Sequence, residues 1–282
     1  MPDIKTLAKA RDVDLVDTFT KSISKLASML STCEPIPAAS GETLHQKKIV
    51  GKLSTDEYTE GQDIPISSYK YQDVQTFEVG IKPFRKQATL QEIKKRGYDV
   101  AVDKTDAAML SDIQAEIKKG FLNILSTTDG ATEAKGANLV SCAAAMWAAL
   151  SNKVEEYGFG DVEAVFLVNP VDFAKCIGDS EVFAAFGISY IQNWAGLGTL
   201  ISTGSVPAGT VYATVKNNVK IYVASNEGDD LFDFYTDESG YIAVQHSPKL
   251  TSITYDTVCY LGVTFFAEYA DFIVKGTIAP TA

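Results

Sequence analysis

Apolar residues between positions 12 and 30 recur at three- and four-residue steps. Val13, Val16, Phe19, Ile23, Leu26 and Leu30 form one stripe of an amphipathic helix. Pro35 and Pro37 then enforce an extended path. A helix with one apolar stripe must dock on its own subunit or on another. A second stripe, Leu110, Ile113, Ile117, Phe121, Ile124 and Leu125, predicts a long helix over about 104–126. A third helix is expected over about 138–157. It is rich in alanine between Ala143 and Ala149, so it can pack closely, and Gly158 is its expected C-cap. Between the first two helices, Thr89 and Glu92 have the spacing of a capping box for a short helix ending at Gly97.

The strand signals have a different period. Phe77, Val79 and Ile81 alternate with polar or small residues, the pattern of a half-buried strand. Ala164–Val168 (AVFLV) reads as a fully buried strand. Asn169 and Pro170 follow as N-cap and first residue of a helical turn running to Gly178. Thr210–Val215 and Val219–Ala224, around Lys216–Asn218, predict a hairpin. Leu231–Tyr235 and Tyr241–Gln245 predict another, and 253–278 is rich in strand formers. Local helix content sits in the first half of the chain and strand content in the second, an α+β layout without regular βαβ alternation.

One region fits no core. From Gly41 to about Gln75 the chain turns polar, with strand-like pieces such as Lys48–Leu53 flanking Ser54–Gly61. The simplest reading is a long two-stranded excursion that rejoins the body near Phe77. An isolated hairpin is marginal in water, so this one needs a partner to cover it.

The 282 residues suit one large domain or two intimate ones. No apolar run is long enough to span a bilayer, and the N-terminus lacks a secretory pattern, which places synthesis in a cytoplasm without a membrane partner. Cys33, Cys142, Cys176 and Cys259 are far apart and read as small buried side chains; His45 and His246 are likewise unpaired, so no metal site is predicted. The net charge is −11, and residues 158–282 hold five lysines and no arginine against fourteen acids. Arg11, Arg85 and Arg96 are the only arginines, which argues against sequence-specific DNA reading.

Candidate chemistry is sparse. Gly196-Leu197-Gly198 lacks the third glycine and flanking elements of a dinucleotide loop. Trp194 reads as either a core residue or an interface anchor. Asp229, Asp230, Asp233, Asp237 and Glu238 do not have calcium-loop spacing; they read as a solvated hairpin rim, with a weak divalent-cation site as the alternative. Arg85, Lys86, Lys94, Lys95 and Arg96 form a basic patch. It reads as a solvated helix face, a contact for acidic groups on a neighbouring subunit, or a nucleic-acid contact. No phosphate loop or Ser-His-Asp set can be assembled, so no catalytic or cofactor site is predicted.

The order of these pieces resembles the major capsid proteins of tailed bacteriophages, the Hong Kong 97-type fold. EGQDIPISSYKYQDVQTFEVGI, from Glu60, is similar to the family's extended loop and returning strand. FRKQATLQEIKKRGYDVAVDKTDAAMLSDIQAEIKKGFLNIL, from Phe84, is similar to its short helix and spine helix. AVFLVNPVDFAKC and DFIVKG are similar to axial-domain and closing peripheral-domain elements.

The resemblance implies an N-terminal arm (1–40), an extended β-hairpin loop (41–76) and a peripheral domain with the spine helix (77–157). An axial domain (158–240) and C-terminal peripheral strands (241–282) would follow. It also implies a non-enzymatic subunit of an icosahedral virion, forming pentamers and hexamers around double-stranded DNA without sequence-specific contacts, with portal and scaffolding proteins as further partners. About forty residues precede the loop, so a separate scaffolding protein or none is expected. Lys47, Lys48, Lys52 and Lys70 lie where some members crosslink, but nothing selects one.

Inter-subunit contacts are expected at Phe19, Ile23 and Leu26 of the arm and at Tyr58, Ile64, Tyr69 and Tyr71 of the loop. Arg85, Lys86, Lys94 and Arg96 of the basic patch and Trp194 of the axial domain complete the set. Two other readings stand beside this one: a cellular nanocompartment shell of the same fold, and an α+β enzyme with residues 41–75 as a lid.

Overall fold

The computed structural model describes residues 14–17, 19–21, 36–57, 59, 61, 63–127, 132–160, 163–175, 183–185, 188–225, 229–236 and 240–279. Strand β6 (Ala164–Val168) organises the body, because all five of its residues are buried. Val165 and Leu167 enter one hydrophobic core, and Ala164, Phe166 and Val168 enter a second. A strand buried on both faces reads as a continuous apolar run. Helix α2 (Lys104–Thr127) brings its predicted stripe, Leu110 to Leu125, into the first core. Helix α3 (Leu139–Glu156) brings Leu139, Cys142, Ala143, Met146 and Leu150 into the second.

β6 lies in the middle of a seven-stranded sheet. Its order is β5 (Thr132–Gly136), β15 (Ile273–Ile278), β10 (Thr210–Val215), β6, β9 (Gly198–Ser202), β8 (Ile188–Trp194) and β7 (Phe183–Ala185). The sheet is mixed, with β6 parallel to β9 and β5 parallel to β15. β5 and β15 come from outside residues 158–240, so the segment boundaries expected at 158 and 240 do not coincide with a sheet boundary. α3 lies close on this sheet. A Cβ at Gly276 of β15 would meet the Met146 sulfur and would come within 2.7 Å of the Cys142 sulfur.

The ends of α3 follow from local chemistry. Asn138 accepts from the Ser141 amide at 2.8 Å, and the Ser141 hydroxyl accepts from the Asn138 amide at 3.1 Å, a reciprocal cap. At the other end Gly158 has φ +75°, its amide donates to Glu155, and Phe159 donates to Val154 at 3.0 Å. This is a Schellman termination, with glycine where the left-handed conformation requires it.

Two three-stranded sheets flank the first core. One has the order β1 (Ile36–Ala38), β11 (Val219–Ala224), β14 (Val263–Ala267); the other has the order β12 (Ile242–Lys249), β13 (Thr254–Leu261), β4 (Lys82–Thr89). Among the described residues β2 (Thr43–Lys52) and β3 (Ser68–Glu78) pair only with each other, with a bulge at Gln46/Lys47. Thr89 is both the last residue of β4 and the cap of α1 (Leu90–Arg96), accepting from the Glu92 amide at 3.2 Å. The Glu92 side chain does not return to Thr89; it pairs with Arg96 at 2.8 Å. A π-helical turn, Asp99–Asp103, leads into α2. Asn169 caps the short α4 (Pro170–Ala174) as expected, accepting from the Val171 amide at 2.9 Å.

Several expectations are corrected. The alternation at 77–81 is not one strand: β3 ends at Glu78, and β4 begins at Lys82 in another sheet. The strands at 210–215 and 219–224 form as predicted but not as a hairpin, since β10 pairs with β15 and β6 while β11 pairs with β1 and β14. Asn217 adopts φ +65° at the crossing, and the buried Asn218 side chain donates to Thr214 and Tyr269 and accepts from the Tyr269 amide at 2.9 Å. The turn thus redirects the chain between sheets. The expected hairpin at 231–245 reduces to one bridge, Tyr235 to Val244, because Asp229–Phe232 is a 3-10 turn and β12 takes β13 as its ladder partner.

Candidate assembly interface

The hairpin β2–β3 is pinned at its base. The Gly41 amide donates to Val79 at 2.7 Å and the Val79 amide to Glu42 at 2.9 Å. The buried Gln46 donates its side-chain amide to the Ala267 carbonyl at 2.8 Å. Lys48 pairs with the buried Asp271 at 2.8 Å, and the Tyr157 hydroxyl donates to the other Asp271 oxygen at 2.8 Å. Tyr157 packs edge-on against Tyr269 and Phe272, and burial, then the hydrogen bond and charge of Asp271, push its phenol well above the ordinary range. Strand β2 and the end of α3 therefore share one carboxylate.

Beyond this base the hairpin exposes large apolar side chains. Leu53 is 64% exposed, Ile64 73%, Ile66 90%, Tyr69 59% and Tyr71 73%. A groove of about 590 Å³ separates it from the end of α3, lined by Lys52, Leu53, Tyr69, Tyr71, Glu156 and Tyr157. A contiguous set of exposed apolar side chains is the kind of surface on which partners dock. Tyr58 lies outside the described residues, as do Ile23 and Leu26.

The basic patch is largely committed within the chain. Arg85 pairs with Asp256 at 2.5 Å. Lys86 reaches Asp106, the Thr105 hydroxyl at 2.6 Å and the Val102 carbonyl at 3.0 Å. Asp106, buried in the first turn of α2, also accepts from the Thr257 hydroxyl at 2.9 Å and lies 3.1 Å from the His246 ring. Burial raises the Asp106 carboxyl, but its bonds to His246 and Lys86 and their charges outweigh that and hold it below the usual carboxylate range. Asp256 is held low in the same way: Arg85, Thr254 and Gln87 outweigh its burial. One ionic cluster thus ties α2 to β4, β12 and β13.

Lys86, expected as a contact for a neighbour, is an anchor within this chain, held by Asp106, Thr105 and Val102. Phe19 faces this chain's body: residues 14–17 and 19–21 are helical, and Val16 and Phe19 are fully buried in the core that holds α2. Trp194 is buried against Phe166, with ring centroids 6.2 Å apart, and serves the core. Lys94 and Lys95 are exposed and have no ion pair among the described residues, while Arg96 is exposed and held by Glu92. The acidic residues at 229–233 lie on and just after the 3-10 turn; Asp237 and Glu238 are outside the described residues. Among the described residues no group of three or more His, Cys, Asp or Glu is placed to hold a metal ion, and no helix is long and apolar enough to cross a membrane.

Solved structures share this fold. The chain is similar to the capsid asymmetric unit of cyanophage A-1(L), with a TM-score of 0.59 at 12% identity over 91% of this chain and 93% of that one. It is similar to a virus-like particle from Pyrococcus furiosus, with a TM-score of 0.53 at 13% identity over 93% and 97% of the two chains. It is also similar to the holo-SrpI encapsulin complex from Synechococcus elongatus, with a TM-score of 0.53 at 10% identity over 87% and 85%. The fold is the Hong Kong 97-type capsid fold. No family model and no curated protein matches the sequence.

Proposed function

We propose that this chain is a structural, non-enzymatic subunit of an icosahedral bacteriophage capsid, assembling into pentamers and hexamers that enclose double-stranded DNA. The observation that carries the reading is the hairpin: its base is fixed by Gln46 and Lys48, while Leu53, Ile64, Ile66, Tyr69 and Tyr71 are left in solvent. A neighbouring copy would cover them. In this reading residues 1–40 are an arm, 41–76 the extended loop and 158–240 the axial domain, with 77–157 and 241–282 the peripheral domain. Ile64, Tyr69, Tyr71 and Lys94 are the contacts favoured by exposure, with Arg96 beside them. Ile23, Leu26 and Tyr58 are further contacts of the arm and loop. Arg85 and Lys86 are spent on Asp256 and Asp106, and the second half of the chain is acidic, which suits a wall that does not grip DNA. Portal and scaffolding proteins are the further partners, and assembly takes place in the host cytoplasm.

The second reading, a nanocompartment shell of the same fold, is favoured by the likeness to the encapsulin complex. Negative-stain electron microscopy and light scattering of the concentrated chain test the shell. Closed shells, or pentamers and hexamers, are expected, alone or on co-expression of the neighbouring genes. A chain that stays monomeric in both settings overturns the reading. Nuclease-protected DNA inside the particles separates a capsid from a compartment, which would instead enclose protein cargo.

A further inference from the structure

We propose that Asp271 couples the base of the hairpin to the C-terminal end of α3. Displacing the hairpin loosens that end, and disturbing that end loosens the hairpin base. The inference goes beyond the shell reading, because it concerns a single chain.

Two donors far apart in the sequence share this one carboxylate. Asp271 sits in the 3-10 turn Ala270–Phe272, and its side chain is buried. One oxygen takes the Lys48 ammonium from β2 at 2.8 Å, and the other takes the Tyr157 hydroxyl at 2.8 Å. Tyr157 is the C-cap of α3. The amides of Tyr157, Gly158 and Phe159 donate back to Lys153, Glu155 and Val154 and close the helix.

Charge is what links the two contacts. Among the described residues Lys48 is the cation within salt-bridge distance of Asp271. Lys153 feels the same carboxylate, but its ammonium is bonded to Glu156 at 2.7 Å. When the hairpin base moves away, the buried carboxylate loses its balancing charge and must draw in water or a proton. A hydrogen bond to an ionised acceptor is about twice as strong as a neutral one. The Tyr157 bond is therefore strongest while Lys48 is in place. The reverse also holds, because a coupling free energy is reciprocal: without the phenol, the carboxylate that Lys48 grips is less firmly fixed.

The turn that carries Asp271 passes the change on. Tyr157 packs edge-on against Tyr269 and Phe272, with ring centroids 5.6 and 5.3 Å apart, and Phe159 meets the same two rings at 5.9 Å. β15 starts at Ile273, directly after Phe272, and lies between β5 and β10. A shift at the turn thus reaches the seven-stranded sheet. A rival route runs through Tyr71 of β3, whose phenol lies within electrostatic reach of Tyr269. Lys48 is favoured because it carries a full charge and bonds Asp271 directly.

Hydrogen–deuterium exchange of the dissociated chain tests the coupling. The amides of Tyr157, Gly158 and Phe159 report the end of α3, and those of residues 43–48 report the hairpin base. Lys48→Met should speed exchange at 157–159 about tenfold, and Tyr157→Phe should speed it at 43–48 by a similar factor. In the Tyr157→Phe chain, Lys48→Met should add little at 157–159, because the route through Asp271 is already cut. Lys48→Arg keeps a cation there and should hold 157–159 near the wild-type rate. Lys48 is partly exposed, so its substitution opens no core, and protection of β6 checks that each variant is folded. Wild-type exchange at 157–159 in Lys48→Met overturns the proposal, as does an undiminished Lys48→Met effect in the Tyr157→Phe chain. Tyr71→Ser speeding 157–159 where Lys48→Met does not would also overturn it, in favour of the rival route. Each result is read without assembly, so a chain that never forms shells sinks the shell reading alone.

Discussion

β6 and β3 are both regular strands, but their stability has different sources. β6 lies between β10 and β9 with a core on each face. β3 has one partner, β2, and holds Tyr69 and Tyr71 in solvent. Pairing gives β3 its register, but little of its surface leaves water, and a hairpin without a covered face is marginal. The body carries its own hydrophobic driving force, whereas the outer hairpin leaves its apolar side chains exposed, and in the proposed shell a neighbouring copy would bury them.

Substitutions break this contrast at different points. The largest effect is expected in the body at Asp106. Asp106→Ala removes the carboxylate that Lys86 and Thr257 share, leaving the buried Thr257 hydroxyl without this acceptor and Lys86 with only Thr105 and Val102, and should cost about 3–5 kcal/mol in urea unfolding. Its pH dependence has a fixed sign. Asp106 and Asp256 are held below the usual carboxylate range in the folded chain, so their contribution is present above about pH 4 and is lost as pH falls below it. Acid unfolding of the wild type should steepen there, and Asp106→Asn should flatten that part of the profile. A wild-type stability flat from pH 5 to pH 2 would contradict the assignment.

Next in size is Gly276→Ala, which pushes a methyl group into the Met146 and Cys142 sulfurs where α3 lies on β15. Overpacking of this kind costs about 1–3 kcal/mol, read as a lower melting temperature. Smallest for the folded chain are Ile66→Ser and Tyr71→Ser, expected within about 0.5 kcal/mol of wild type in the dissociated state. The same two changes should sharply reduce assembly by light scattering. Hairpin variants that destabilise the free chain as much as Gly276→Ala would erase the distinction between the two regions.

Local signals were legible in the sequence. The α2 stripe, the buried run at 164–168, the Asn169 cap and the polar excursion at 41–75 all depend on neighbours within a few residues. The partners of β10 and β11 were not legible, because each strand is claimed by a different sheet through strands far away in the chain. Nor was the Asp106 cluster, which joins residues 20, 140 and 151 positions apart. A lysine at 86 and a histidine at 246 carry no mark of a shared partner. Phe19 and Trp194 teach the same lesson: an apolar residue signals that it will be buried, not by which surface. The exposed half of the hairpin was readable because nothing in its own sequence gave it a core.

In the proposed shell the outer hairpin is stabilised by a neighbour and not by its own body. Hydrogen–deuterium exchange of the amides in β2, β3 and the turn between them, in dissociated and assembled chain, tests it most directly. Near-unprotected exchange over residues 50–72 is expected in the dissociated chain, with β6 protected, and strong protection of 50–72 on assembly. Equal protection of 50–72 in both states would contradict it.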